Sequence, residues 1–125
     1  MGLQDVFFLL GMPFDSPEAR ELSRRISEEI YYHALLASAE LASESGAHAA
    51  FPETRLAQGK FHFELYGGAQ PRAPRRWDDL RARILKTGVR NALVVAIAPT
   101  ATIASIVGAC ECIEPQVSNV FKRET

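Results

Sequence analysis

The sequence predicts an α/β fold, and a slice of a larger α/β structure rather than a closed one. Three observations carry this. Ala19, Leu22, Ile26, Ile30, Ala34, Ala37 and Leu41 recur every three or four residues, which is one face of a long helix. Ala92-Leu93-Val94-Val95-Ala96-Ile97-Ala98 is apolar without polar alternation, the pattern of a parallel strand buried on both faces. Such a strand needs parallel neighbours on both sides, and the rest of the chain offers at most one or two weak ones.

The elements follow in order. Gly2 to Leu10 is short and mostly apolar, and Gly11-Met12-Pro13-Phe14-Asp15 breaks it. Ser16-Pro17-Glu18 opens the long helix: Ser16 can cap, Pro17 suits the first turn, and Glu18 favours the positive end of the dipole. Asp15 is an alternative cap, with Glu18 completing a capping box. Gly46 is a natural stop. Residues 47–75 are irregular, punctuated by Pro52, Gly59, Gly67, Gly68, Pro71 and Pro74. Within them Phe61-His62-Phe63-Glu64-Leu65 alternates, which suits a short extended piece. So long a loop is unusual unless it packs on something else.

Trp77, Leu80, Ile84 and Leu85 then mark a second amphipathic helix, with Asp78 and Asp79 early, Lys86 late and Gly88 as its stop. The strand Ala92–Ala98 ends at Pro99, which cannot donate a ladder bond. Thr102 to Val107 is helix-compatible, and Gly108 ends it. Val117 to Phe121 is a further candidate strand.

Composition excludes several classes. Net charge is −1 with 47% hydrophobic residues, which argues against a nucleic-acid or membrane electrostatic footprint. The run from Ala92 to Pro99 is far short of the ~20 residues a membrane span requires. Met1-Gly2-Leu3-Gln4-Asp5 has no basic start, so no signal peptide is expected. The two cysteines, Cys110 and Cys112, are poorly spaced for a disulfide, which points to a reducing cytoplasm.

The chemistry concentrates in Pro99-Thr100-Ala101-Thr102-Ile103, where a strand end meets a helix start. Unpaired amides at a helix start can hold a phosphate. Thr100 and Thr102 serve equally as ordinary helix caps on the residues alone. Cys110-x-Cys112 lacks a second ligand pair for zinc, and His33, His48 and His62 are scattered. These thiols read as structural or incidental. Glu114, held extended before Pro115, reads as an orienting or structural residue. Arg90 and Asn91 stand at the strand end away from the turn and read as a structural tie. The mixed charges of Glu18 to Glu29 read as a solvated face, and Tyr31, Tyr32 and Trp77 as packing residues.

Several motifs in register resemble the large, catalytic subunit of ribonucleotide reductase. Trp77-x-x-Leu80, seven residues, then Gly88-Val89-Arg90-Asn91-x-x-x-Val95-Ala96-x-x-Pro99 is similar to the family's signature. Ala98-Pro99-Thr100-Ala101-Thr102, Ile113-Glu114-Pro115 and Ser118-Asn119-x-Phe121-x-Arg123 resemble the segment after it. Gly2-Leu3-Gln4-Asp5, Pro13-Phe14-Asp15-Ser16 and Glu29-Ile30-Tyr31-Tyr32 resemble the part before it.

The resemblance implies a partial segment of a ten-stranded α/β barrel, with residues 1–125 a fragment of the catalytic barrel domain. It implies radical-based reduction of ribonucleotides to 2′-deoxyribonucleotides for DNA synthesis. It places the substrate phosphate on Thr100, Ala101, Thr102 and Ile103: two hydroxyls, and the amides of Ala101, Thr102 and Ile103. Where the family often has a polar side chain, Ala101 and Ile103 contribute backbone alone. The family's radical cysteine loop, its redox cysteine pair and its tyrosine pair have no counterpart here. No catalytic residue and no metal ligand are therefore assigned, and isolated activity is not expected. Ala101 and the Ser118-Asn119-x-Phe121-x-Arg123 ending lean towards class I. The implied partners are the ribonucleotide substrate, the rest of the large subunit, and a small metal-containing subunit that supplies the radical. Nucleotide effectors would act on the parent enzyme, and this segment would bind no cofactor. The competing readings are a non-catalytic phosphate or nucleotide-binding module and a subunit-interface piece.

Overall fold

The computed structural model describes residues 1–67 and 70–118. Regular structure among them is helical: α1 (Leu3–Leu10), α2 (Pro17–Ser45), α3 (Pro74–Thr87) and α4 (Ala101–Val107), with three 3₁₀ turns at Phe51–Glu53, Leu56–Gln58 and His62–Tyr66. The α/β expectation therefore fails at its strand. Ala92–Ala98 is irregular, and Leu93, Val95 and Ile97 are exposed rather than buried. A strand exists through ladder bonds to a neighbour, and the described residues offer this segment none. The barrel segment read from the sequence is accordingly not seen. Phe61–Leu65 is also no extended piece, because residues 62–66 coil into the third 3₁₀ turn. Val117 and Ser118 are irregular, and Asn119–Phe121 lie outside the described residues.

The helix ends follow local chemistry. Ser16 caps α2, its hydroxyl accepting the Ala19 amide at 3.1 Å. Gly46, at φ 81°, ends that helix, its amide bonded to the Ala42 carbonyl. The alternative capping box on Asp15 does not form; the Asp15 carbonyl instead accepts from Arg20.

The chain divides into two compact units, Met1–Ile26 with the chain from Ala96 onward, and Ser27–Val95. The second unit holds a core of Leu35, Ala39, Phe61, Trp77, Leu80, Ile84 and Val89. Trp77, 1% exposed, is its centre. The rings of Phe61 and Phe63 lie 4.9 Å from it edge-on, and those of Tyr32 and Tyr31 at 5.2 and 5.9 Å. Its indole N–H donates to the Glu28 carboxylate at 3.1 Å, which also accepts the Arg72 amide.

The first turns of α2 use the predicted face, with Ala19 buried and Leu22 and Ile26 half-buried, but beyond Ile26 the face is not the predicted one. Leu35, Ser38, Ala39 and Ala42 are buried, while Ile30, Ala37 and Leu41 are exposed. The shift is one position, or about 100° around the helix. Small residues decide it. Ser38 and Ala39 let the segment after α3 come close: the Arg90 amide donates to the Ser38 carbonyl at 3.0 Å, and the Asn91 amide to the Ser38 hydroxyl at 2.9 Å. That hydroxyl donates in turn to Asn91 Oδ1. Gly88 makes the approach possible, since a Cβ there would stand 2.5 Å from the Ala47 methyl.

Glu28 and Glu29 are also more than a solvated face. Arg76 grips Glu29 with two hydrogen bonds of 2.8 and 3.0 Å, and its guanidinium lies 4.1 Å over the Tyr32 ring. Arg81 grips Glu64 likewise at 2.9 and 3.0 Å, lies over Phe61 and donates to the Gly59 carbonyl. Both glutamates are held below the usual carboxylate range, chiefly by those arginine hydrogen bonds and against burial. A folded-state value below the unfolded one means stability that is present above about pH 4.5 and lost as pH falls through the lower value. Glu64→Gln should flatten the acid limb of an unfolding titration followed by Trp77 fluorescence. An acid limb of unchanged steepness would show that the Arg81–Glu64 pair contributes nothing.

Candidate functional site

The site read from the sequence lies in the first unit, at the start of α4. Pro99 supplies no amide proton, and Thr100 forms the cap with φ 54°, a left-handed backbone. For a β-branched residue this conformation is an outlier that costs on the order of 1–3 kcal/mol. The first amide bonded back inside the helix is that of Ala104, to the Thr100 carbonyl at 2.8 Å. The amides of Ala101, Thr102 and Ile103 precede any helical acceptor. All three residues are exposed, and Thr100 is half-buried. The four predicted residues thus form one short, solvent-facing turn.

A strap holds Thr100 in its strained form. Its hydroxyl oxygen accepts the Cys112 amide at 2.9 Å. A hydroxyl has one proton and two lone pairs, so the Thr100 proton remains to donate outward. Cys112 is itself left-handed, at φ 46°. Two residues back, the Cys110 amide donates to Asp5 Oδ2 at 2.8 Å, and the Cys110 carbonyl accepts the Gly2 amide at 2.9 Å. The start of α1, the Cys110–Cys112 backbone and the turn therefore form one hydrogen-bonded path. The sequence signalled none of this. Cys110 and Cys112 drew attention as thiols, whereas their backbone amides make the contacts.

The remaining candidates fall where packing puts them. Arg90 and Asn91 tie to Ser38, as described. Glu114 is exposed, and its amide donates to the Glu111 carbonyl at 3.3 Å. Tyr31 and Tyr32 pack on Trp77. Neither cysteine is in a disulfide, and the Cys110 thiol donates to Gln116 Oε1 at 3.6 Å. Among the described residues, no group of three or more His, Cys, Asp or Glu stands where it could hold a metal ion. No helix among them is long and apolar enough to cross a membrane.

The whole sequence, residues 1–125, matches the family model described as ribonucleotide reductase, barrel domain. The chain belongs to that ribonucleotide reductase family. It is 46% identical over 122 residues to a ribonucleoside-diphosphate reductase large subunit of Arabidopsis thaliana, covering 98% of this chain and 15% of that protein. It is 44% identical to the large subunit of Acanthamoeba polyphaga mimivirus and 43% to that of Caenorhabditis elegans, covering 14% and 15% of them. The chain thus spans about one seventh of the reductase large subunits it matches.

Burial, and then the hydrogen bond and negative charge of Asp5, push the Cys110 thiol above its ordinary range. Asp5→Asn keeps an acceptor for the Cys110 amide and removes the charge. Iodoacetamide labelling of Cys110 at pH 8, followed by mass spectrometry, should therefore run faster in Asp5→Asn than in the parent chain. An equal or slower rate would mean that Asp5 does not act on this thiol.

Proposed function

We propose that these residues form part of the large subunit of a ribonucleoside-diphosphate reductase, and that the turn Thr100–Ile103 holds the phosphate of the substrate. The match of the whole chain to large subunits of that name supports the reaction class. The geometry of the turn is the observation that supports the site. Three successive amides and two hydroxyls stand at one exposed helix start, with no carboxylate among residues 99–103 to repel an anion. Amide and hydroxyl donors to a charged oxygen are worth more than neutral pairs, ~1.5–3 kcal/mol each. The donors are main-chain amides and threonine hydroxyls, which suit phosphate oxygens and leave the base to other parts of the subunit.

On this reading the segment binds and orients, and the chemistry is done elsewhere. Reduction of the ribose 2′ position requires a radical that first abstracts the 3′ hydrogen. The cysteine that would carry it, and the separate small subunit that would generate it, are not supplied by these 125 residues. The chain alone, incubated with ribonucleotide, reductant and a small subunit, should give no deoxynucleotide above blank. Stimulated turnover would overturn this.

In a full-length large subunit, Thr100→Val removes a hydroxyl donor and Thr102→Pro an amide. Each should weaken substrate binding on the order of tenfold. Cys110→Ser and Cys112→Ser should leave turnover nearly intact. Steady-state kinetics on the four variants decide the matter. Lost turnover in the cysteine variants with unchanged substrate affinity in the threonine variants would mean the site is misplaced.

A further inference from the structure

We infer that Asp5 is a positioning residue for the phosphate turn, acting through the Cys110–Cys112 backbone. The inference rests on the reading of Thr100–Ile103 as the phosphate site and adds to it a residue from the far end of the sequence. Asp5 makes no hydrogen bond to residues 100–103 of the turn. Its carboxylate accepts the Cys110 amide at 2.8 Å, and the Gly2 amide closes on the Cys110 carbonyl at 2.9 Å. These two bonds hold both polar groups of the Cys110 backbone. Two residues on, the Cys112 amide reaches Thr100 Oγ1 at 2.9 Å.

The consequence is rotational. A threonine hydroxyl with no fixed neighbour spins among its rotamers and can turn its proton back onto nearby carbonyls. With one lone pair occupied by the Cys112 amide, the Thr100 proton points away from Cys112. The same bond offsets the left-handed strain at Thr100, which otherwise favours relaxation of the cap. The Ala104 amide, bonded to the Thr100 carbonyl, fixes the other side of that residue. Release of Cys110 by loss of the Asp5 acceptor lets the Cys112 amide drift. The turn then loses a fixed donor without losing any atom that touches the ligand.

The test uses a full-length large subunit carrying this sequence, with its small subunit. The variants are Asp5→Ala, Asp5→Asn and, as a control on the turn itself, Thr102→Pro. Asp5→Ala should raise KM for the ribonucleoside diphosphate roughly fivefold to tenfold with a smaller change in kcat. Asp5→Asn, which keeps an oxygen acceptor, should stay within about twofold of the parent. Hydrogen exchange on the 125-residue chain gives a readout independent of activity. The Cys110 and Cys112 amides should both exchange faster in Asp5→Ala and both stay slow in Asp5→Asn. Where Asp5→Ala does not fold, Asp5→Glu moves the carboxylate by one methylene and should raise KM by a smaller factor. A parent-like KM in Asp5→Ala or Asp5→Glu, with Thr102→Pro raising it, overturns the positioning role and leaves the phosphate site standing. A parent-like KM in Thr102→Pro overturns the phosphate site itself. Faster exchange at Cys110 with unchanged exchange at Cys112 breaks the relay in either case.

Discussion

Burial of Trp77 with its indole N–H satisfied by Glu28 is the constraint on which the Ser27–Val95 unit depends. A fully buried aromatic side chain contributes about 1.5–3 kcal/mol by leaving water. A buried donor without a partner costs about 1–3 kcal/mol. The two are of equal size, so the tryptophan stabilises the unit only while the carboxylate stands in place. That requirement fixes the register of α2 against α3. It also explains why the long segment between them is not loose: Phe61 and Phe63 are the edge-on partners that complete the aromatic box. Arg76 and Arg81 then close its rim, each stacking on a ring and pairing with a glutamate.

The first unit is built on a different principle. Among its described residues the buried side chains are few, with Phe7, Ala19 and Ala104 the apolar ones and Gln4 a polar one. Leu9, Ile97, Ile106 and Val117 are exposed. Hydrogen bonds from backbone amides hold it instead: Cys110 to the Asp5 carboxylate, Gly2 to the Cys110 carbonyl and Cys112 to the Thr100 hydroxyl. Such bonds fix backbone position closely and contribute about 0.5–1.5 kcal/mol each.

The sequence made α2, α3 and α4 legible because their signals are local. The Ser16 cap, the Gly46 stop and the Trp77–Leu80–Ile84 spacing each act within a turn or two. The face of α2 beyond Ile26 was not legible, since two apolar stripes run along it and the choice rests on Ser38 and Ala39 meeting residues 89–91. The strand at Ala92–Ala98 was misread for the same reason: an apolar run states that a segment is to be covered, and pairing depends on what covers it. On the residues alone Thr100 and Thr102 read as helix caps, and the phosphate reading of Thr100–Ile103 leaned on the family resemblance. The bond from the Cys110 amide to Asp5 was hidden, because the two residues lie 105 positions apart and an amide has no signature in the sequence.

The direct test is a crystal structure of a full-length large subunit carrying this sequence with a ribonucleoside diphosphate bound. The account predicts phosphate oxygens within about 3 Å of the Thr102 and Ile103 amide nitrogens, with the Thr100 hydroxyl donating to the same group and still accepting from Cys112. A substrate phosphate seated on other residues, with the Thr100–Ile103 turn facing solvent or packed against protein, would contradict it.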